Sequence, residues 1–395
     1  MQAQARSIKS LFFKNVFVLS LTALGLISLA LLLTRHQAEF AVAILEGLLM
    51  GYAVAAYLWT RNERITAVVA IRWSSFLYLV FSYLYAVSYR HANVLDFLMI
   101  YKSFVYLFFL TFLANKKLMP FLTVNWLGLA MFALFMLKYI LLIGLGIEPR
   151  PILFMENNFE LMFIYTLYLI RYGVNKEKYL HLLLVVGLIT LLSLSRASLL
   201  MYSVLVLFVI YDSFKKTRVF IIPAAALILA ALAYYIFSQR SKSLEDIDRF
   251  RFMLVWWSNV KDWSFWQWLV GAERVTPLSE YSCHVMSYFK NLFSFSKNGT
   301  CYSVILHSFL FRVLYDHGIL GLIYIIYATY ALLRKSRLRT DITLVFIAIV
   351  LINGLSVSSF NNLFFAISMV FLMCTNLDFP DEEGEEDLEL NESIA

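Results

Sequence analysis

The sequence contains few charged residues and only three cysteines. Charged residues make up 15% of the 395-residue chain, against about 25% in an ordinary soluble domain. Because 61% of the residues are hydrophobic, too little polar surface remains to coat a soluble fold, which excludes a soluble enzyme and a disordered chain. The three cysteines exclude a disulfide-rich secreted scaffold, and with six histidines they are too few for a metal cluster.

Long unbroken apolar runs dominate the chain and indicate transmembrane helices rather than barrel strands, whose apolar residues alternate. Each span needs ~20 mostly apolar residues, so we predict an all-α polytopic membrane protein with about twelve transmembrane helices. The predicted spans cover residues 15–34, 39–60, 65–88, 93–114, 119–146, 153–172, 179–195, 197–213, 219–237, 304–333, 341–359 and 362–377. No internal repeat or linker divides them, so residues 1–377 are predicted to form a single transmembrane domain.

Lysine and arginine are distributed unevenly between the predicted loops. With the N-terminus in the cytoplasm, seventeen of them lie on the cytoplasmic side and four in the short outer loops. Positive residues mark cytoplasmic loops, so we predict a multi-pass membrane protein with both termini in the cytoplasm and no nucleic-acid partner. Nine acidic residues follow Leu377, and residues 378–395 are predicted to be a disordered cytoplasmic tail.

One predicted connection, residues 238–303, is much longer than the others and lies on the outer side. Loops of this length are usually functional. Its tryptophans, concentrated between Trp256 and Trp268, suit the membrane–water interface, where the loop is either part of a site or a passive lid. Cys283 and Cys301 both lie in this loop, where they either pair in an oxidising compartment or remain free thiols.

Two ionisable residues at the outer ends of spans are candidate functional residues. Arg196 lies between two apolar runs, and a charge near the bilayer is costly enough to suggest a function. The alternative is a short outer turn whose arginine reaches lipid phosphate. His307 follows the large loop and is either a general base, since a histidine pKa lies near neutrality, or an interfacial histidine with satisfied hydrogen bonds.

The large loop carries a further pair of arginines, Arg249 and Arg251. In a helix, residues two apart point to different faces, so only one of the pair is expected to face the ligand of Arg196. Asp246 and Asp248 precede them as an Asp-x-Asp pattern, which in some sugar transferases holds a divalent metal. A three-residue match carries little weight, and we predict no metal site.

Glu156 and Glu160 are four residues apart near the outer end of the sixth predicted span. Residues at this spacing share a helical face. They either accept hydrogen bonds from sugar hydroxyls or form structural salt bridges. Polar groups in spans usually pair with each other or line a cavity.

Gly318 and Gly321 lie in the tenth predicted span, beside Asp316 and His317. The spacing of three places the two glycines on one face, where small residues let another helix approach. Asp316 and His317 are expected to hydrogen-bond to a neighbouring span.

This set of residues resembles a pattern of the O-antigen ligase and O-antigen polymerase family of bacterial inner-membrane proteins. In that family the histidine motif follows a large periplasmic loop, as His307-Ser308 does here, and precedes two glycines at the spacing of Gly318 and Gly321. A Ser-Arg pair at an earlier outer turn matches Ser195-Arg196, and a loop arginine ahead of a tryptophan matches Arg251 best. The family more often has Asn at the position of Ser308.

The resemblance implies a GT-C-like membrane glycosyltransferase that needs no metal or other cofactor and whose active site faces the periplasm. Its donor would be a glycan on undecaprenyl diphosphate, and its acceptor a glycan repeat unit or lipid A–core. Membrane lipids, and optionally a chain-length regulator, would be its other partners. The implied catalytic residues are Arg196 and Arg251, which hold the diphosphate, and His307, which accepts the proton of the attacking hydroxyl. The remaining residues assigned to substrate binding are Arg249, Ser195, Ser308, Glu156 and Glu160.

The first interpretation is a polymerase that joins repeat units of O-antigen or a related surface polysaccharide. The alternative is a ligase that transfers the polymer from its lipid carrier to lipid A–core. A transporter of lipid-linked glycans, without chemistry, is the second alternative, but transporters of that kind have repeated halves and a midplane site. The single large outer loop favours a transferase.

Overall fold

The computed structural model describes residues 2–31, 39–60, 65–147, 151–213 and 248–377. Within these ranges the chain is mostly helical. The helices are α1 (Gln2–Ala30), α2 (Glu39–Trp59), α3 (Thr66–Tyr83, continued by a π-helical turn Leu84–Tyr89), α4 (Val94–Ile100), α5 (Lys102–Leu110), α6 (Phe121–Gly144), α7 (Asn157–Val174), α8 (Lys176–Tyr179), α9 (Leu182–Leu192), α10 (Arg196–Ser213), α11 (Asp248–Val260), α12 (Phe265–Val270), α13 (Glu280–Val285), α14 (Phe309–Lys335), α15 (Thr340–Gly354) and α16 (Leu363–Cys374). The strands β1 (Met119–Pro120) and β2 (Thr375–Asn376) pair in parallel, with Met119 opposite Thr375.

Among the residues that the structure describes, six helical segments are long and apolar enough to cross a membrane. They are Leu11–Ala30, Ala41–Trp59, Thr66–Tyr89, Phe121–Gly144, Arg196–Ser213 and Phe309–Lys335. Helices α15 and α16 are also apolar but shorter. The chain therefore has the fold of an all-α membrane protein. The count of twelve spans stays a prediction, and the predicted span 219–237 and the acidic tail 378–395 lie outside the described residues.

Helices α7 and α16 lie against each other at the centre of the bundle. All residues from Asn157 to Gly173, and all of α16, are buried. A helix that is apolar on every side needs neighbours on every side, which explains the central position of α16. Arg171 of α7 is accommodated there because its Nε donates to Asn125 Oδ1 at 2.8 Å and its guanidinium lies 4.9 Å from the centre of the Phe132 ring.

Two predicted spans are interrupted rather than continuous. The predicted span 93–114 consists of α4 and α5, which meet at Tyr101 (φ −92°, ψ 10°). At this break the backbone N–H of Ser103 donates to Asn361 Oδ1 at 2.9 Å. The second break lies inside α14, where Gly318 has φ 65° and ψ −170°. Both breaks lie at the end of the bundle where residues 248–303 pack, hereafter the loop end.

At the break in α14, the backbone of the loop packs against the helix and forms a hydrogen bond with it. The N–H of Ala272 donates to the carbonyl of Tyr315 at 2.7 Å. A Cβ on Gly271 would lie 2.6 Å from the nitrogen of His317, and one on Gly318 would lie 2.5 Å from the nitrogen of Gly271. The predicted close approach at Gly318 is therefore real, but the approaching helix is the short α12 of the loop and not a span. A Cβ on Gly321 would instead meet His317 of its own helix.

The described part of the large loop has a small apolar core of its own. Phe252, Val255 and Trp256 of α11 are buried in it, with Cys301. Cys283 and Cys301 form a disulfide, which decides between the paired and free states that the sequence left open. This core joins the loop to the membrane helices, because residues of α14 belong to the same apolar cluster.

The tryptophans of the loop divide into two groups. Trp256 is buried, with its ring stacked 5.0 Å from that of Phe311, and Trp268 packs on it at 5.9 Å. Trp257 and Trp266 are 52% and 69% exposed. The exposed rings suit the predicted interfacial position, since an indole has an apolar body and a polar N–H.

Candidate functional site

Ser195 and Arg196 form the beginning of α10 at the loop end. Ser195 Oγ donates to Asn158 Oδ1 and accepts the N–H of Ser198 at 3.2 Å, so it caps the helix. Arg196 is only 9% exposed. Its side chain therefore lies inside the protein, which disfavours the alternative of an arginine extended into lipid headgroups. A buried arginine at a helix N-terminus places positive charge and backbone N–H groups together, an arrangement suited to an anion.

His307 lies between the 3-10 turn Ser303–Leu306 and the beginning of α14. Its backbone has φ 53°, a conformation that costs a non-glycine residue about 1–3 kcal/mol and is concentrated at functional sites. The half-buried ring lies 5.5 Å from the ring of Phe252 and 4.8 Å from that of Phe289, both in the large loop. The carbonyl of His307 accepts a hydrogen bond from Ser358 Oγ at 3.3 Å.

Ser308 is 2% exposed and points away from solvent. Its Oγ donates to the carbonyl of Gly354 at 3.1 Å, and this bond joins the beginning of α14 to the end of α15. The geometry favours an anchoring role for Ser308 over direct contact with a substrate hydroxyl.

Arg251 lies on the exposed face of α11, while its neighbour Phe252 is buried against His307. The helix that carries Arg251 thus passes directly beside the histidine. Residues Asp248–Val260 are helical, which is the condition on which the prediction for Arg249 and Arg251 depends. The side chain of Arg249, like Asp246, lies outside the described part of the structure.

Glu156 and Glu160 have different environments although they are one turn apart. Glu156 is half-buried at the N-terminus of α7, and its Oε1 accepts a hydrogen bond from Asn158 Nδ2 at 2.8 Å. Glu160 is fully buried, and its two carboxylate oxygens accept the N–H groups of residues 153, 154 and 155 at 2.8, 2.7 and 2.5 Å. The geometry favours the structural alternative for Glu160, because backbone donors surround its carboxylate.

We expect Glu160→Gln to lower stability by about 1–3 kcal/mol, since the amide oxygen can replace only one carboxylate oxygen and the amide nitrogen would face at least one backbone N–H that has lost its acceptor. Thermal unfolding of the purified protein in detergent measures this effect. Glu156→Gln is the matched control, with a much smaller expected change. An unchanged unfolding temperature for Glu160→Gln, together with weaker donor binding, would instead support the sugar-binding alternative.

A series of side-chain contacts connects the turn of Arg196 with the segment of His307. Asn157 Nδ2 donates to the carbonyl of Ser193 at 3.1 Å, which joins α7 to that turn. Further along α7, Met162 Sδ lies 3.8 Å from Asn353 Nδ2 on α15, and the end of α15 holds Ser308. Both candidate segments therefore belong to the loop end of the bundle.

Arg312 is a buried charge near His307 that the sequence reasoning did not single out. Its Nη1 donates to Ser358 Oγ at 2.5 Å and its Nη2 to the carbonyl of Met99 at 3.0 Å. Because Ser358 in turn donates to the carbonyl of His307, Arg312 supports the backbone of the histidine. Its position as a charged residue inside an apolar run is the sequence feature by which Arg312 could have been identified.

Other polar residues of the predicted spans pair as expected. Lys102 forms a salt bridge with Glu46, and Asp96 accepts a hydrogen bond from Ser294 Oγ at 2.6 Å. Asp316 instead accepts the hydroxyl of Ser303 at 2.5 Å, and since Ser303 belongs to the large loop, the predicted bond to a neighbouring span is wrong for Asp316. His317 Nδ1 and the hydroxyl of Tyr78 on α3 are 2.9 Å apart, so the prediction of a bond to a neighbouring span is confirmed for His317.

The structure thus brings the loop helix α11 against His307 and seats Arg196 in a buried helix N-terminus at the same end of the bundle. The sequence matches no protein family model and no curated protein. The similarity to the O-antigen ligase and polymerase family therefore rests on the residues of this chain alone.

Proposed function

We propose that this chain is a membrane glycosyltransferase that polymerises undecaprenyl-diphosphate-linked oligosaccharide repeat units into O-antigen or a related surface polysaccharide. The reaction takes place on the periplasmic face of a bacterial inner membrane. Arg196, Arg251 and His307 are its proposed catalytic residues, and no metal or cofactor takes part.

The observation that carries the proposal is the environment of His307. Its backbone is held in a left-handed conformation, and its ring lies against Phe252 of the helix that also carries Arg251. Seven non-glycine residues of the described structure have a positive φ, and at His307 this strain coincides with the ring contact to the loop helix. An imidazole beside a basic helix suits a proton transfer next to a negatively charged leaving group.

In the proposed reaction, the hydroxyl oxygen of the acceptor glycan attacks the anomeric carbon of the donor. The bond between that carbon and the diphosphate oxygen breaks, and its electron pair leaves with the lipid diphosphate. The hydroxyl proton passes to His307. Arg196 and Arg251 bind the diphosphate oxygens, and they stabilise the transition state more than the ground state because negative charge grows there as the bond breaks.

The loop and the capping groups have supporting roles in this proposal. Exposed tryptophans such as Trp257 and Trp266 hold the loop at the membrane surface, where it limits the access of water. Ser195 fixes the turn that presents Arg196. Ser308 anchors the His307 segment to α15 rather than contacting the acceptor.

A gel of surface polysaccharide tests the proposal. We expect a strain that lacks this protein to show a single capped repeat unit instead of a ladder. Re-expression of the protein should restore the ladder, whereas His307→Ala, present at the same level in the membrane, should not. Lys261→Gln in the same loop is the charge-changing control and should restore the ladder.

Two other outcomes would replace the proposal. If lipid A–core carries no polymer while long polymer remains on the carrier lipid, the chain is a ligase. If the ladder is unchanged without the protein, the chain does not polymerise this glycan, and the resemblance does not extend to function.

A further inference from the structure

A cavity of about 320 Å³ lies between α3, α5, α14 and the loop segment after α12. Phe104, Val270, Leu320 and Tyr324 contribute to its wall, which is almost entirely apolar. The volume falls at the lower end of the roughly 300–1,000 Å³ typical of small-molecule sites. None of the three proposed catalytic residues lines it, so it is separate from the proposed transfer site.

The walls of the cavity are fixed by hydrogen bonds and ring packing. The hydroxyl of Tyr78 is bonded to His317 Nδ1 at 2.9 Å. The hydroxyl of Tyr324 is bonded to Ser75 Oγ at 2.7 Å, and its ring stacks on Phe104 at 5.7 Å. Because these rings are held in place, the cavity is preformed.

The cationic group of the cavity is Arg274, whose side chain is half-buried. Its guanidinium lies 4.9 Å from the centre of the Tyr78 ring. The adjacent carboxylate of Glu273 does not neutralise it, since Glu273 pairs with Arg90 at 2.5 Å. Among the residues that the structure describes, no carboxylate lies within salt-bridge distance of Arg274. Arg274 Nη1 donates to the carbonyl of Val270 at 3.5 Å, and the carboxylate of Asp316 acts on Arg274 from beyond salt-bridge distance. The cavity therefore combines an apolar chamber with a positive charge that forms no salt bridge among the described residues.

The rim of the cavity includes exposed apolar side chains. Leu320 is 52% exposed and Val270 is 44% exposed. Neighbouring apolar side chains are exposed as well, among them Leu77, Ile323 and Trp266. An apolar rim of this kind suits a ligand that enters from the bilayer.

We propose that this cavity binds one anionic phospholipid of the surrounding bilayer. An acyl chain occupies the apolar chamber, and the head-group phosphate binds the Arg274 guanidinium, whose planar fork matches two phosphate oxygens. The net negative charge of the head group distinguishes the favoured lipid from a zwitterionic one, whose own ammonium competes for the phosphate.

Native mass spectrometry of the purified full chain tests this inference, with phosphatidylglycerol or phosphatidylethanolamine added at equal concentration. We expect the protein to retain one phosphatidylglycerol about tenfold more strongly than phosphatidylethanolamine, as a charge-assisted contact predicts. Arg274→Gln should lose this preference. Lys261→Gln, the same charge change in the same loop, should keep it. Val270→Phe, which fills the chamber without altering the charge, should weaken retention of both lipids.

Equal retention of the two lipids by the unaltered protein would overturn the inference. So would a preference that survives Arg274→Gln in a protein of unchanged unfolding temperature. Displacement of bound phosphatidylglycerol by undecaprenyl phosphate at equal concentration would assign the cavity to the glycan carrier instead. The measurement needs no glycan transfer, so its outcome is independent of the glycosyltransferase proposal.

Discussion

Replacing Arg196 by alanine is expected to lower glycan transfer by about 100- to 1,000-fold, the usual effect of removing one group that stabilises transition-state charge. Arg196 is buried at the N-terminus of α10, so bulk water compensates poorly for the loss of its charge. Lipid-linked repeat units extracted from the deletion strain are the substrate for this measurement. Both kcat and kcat/KM should fall, because in the proposed mechanism the charge on the diphosphate oxygens grows as the bond breaks.

Arg196→Lys separates charge from geometry. Lysine keeps the positive charge but lacks the planar two-donor fork, so we expect about a tenfold loss rather than a complete one. Arg90→Gln is the control, because Arg90 forms a largely exposed pair with Glu273 and such pairs contribute little. Full activity of Arg196→Ala, with normal folding, would remove Arg196 from the mechanism.

Gly318→Ala is expected to destabilise the protein by at least about 2 kcal/mol. The residue has φ 65° and ψ −170°, a region that is essentially restricted to glycine. An added Cβ would also lie 2.5 Å from the backbone nitrogen of Gly271, and neither backbone can move without breaking the contact of the loop with α14. Thermal unfolding in detergent should show a clear decrease in Tm.

Gly51→Ala on α2 is the matched control for this substitution. A Cβ at Gly51 meets no atom within 4 Å, and alanine favours a helix interior by roughly 0.5–1 kcal/mol over glycine. We therefore expect its Tm to be unchanged or slightly higher. Equal Tm values for the two variants would mean that the loop does not cross α14 as described.

The positions of several membrane helices could be predicted from the sequence, because charged residues bound the apolar runs. The prediction of 119–146 agrees closely with α6, which follows Lys116 and Lys117. The breaks at Tyr101 and Gly318 could not be predicted. Each depends on a partner far away in the chain, Asn361 for the first and Ala272 for the second, and hydropathy contains no such information.

The candidate site could also be predicted only in part, because a charged residue stands out against apolar runs whereas its contacts with distant residues do not. A lone arginine between two apolar runs identifies Arg196, but its burial depends on the packing of α7 and α10. The structural surroundings of Glu160 and Ser308 depend on backbone groups of residues 153–155 and Gly354. Every residue has a backbone N–H or carbonyl, so the sequence does not show which of these groups lies near Glu160 or Ser308. For this reason the sequence could not separate a structural role from a substrate-binding role for these two residues.

The hydrogen bond from Ala272 to the broken turn of α14 makes the outer loop and the membrane helix a single folding unit. A carbonyl released by the break would be expensive to leave unsatisfied in hydrocarbon. The helix thus depends on the loop to complete its backbone. Replacement of this loop by that of another protein would therefore have to include the matching part of α14. Under the proposed function, any residues of the loop that select the substrate could not be transferred to another protein without this part of α14.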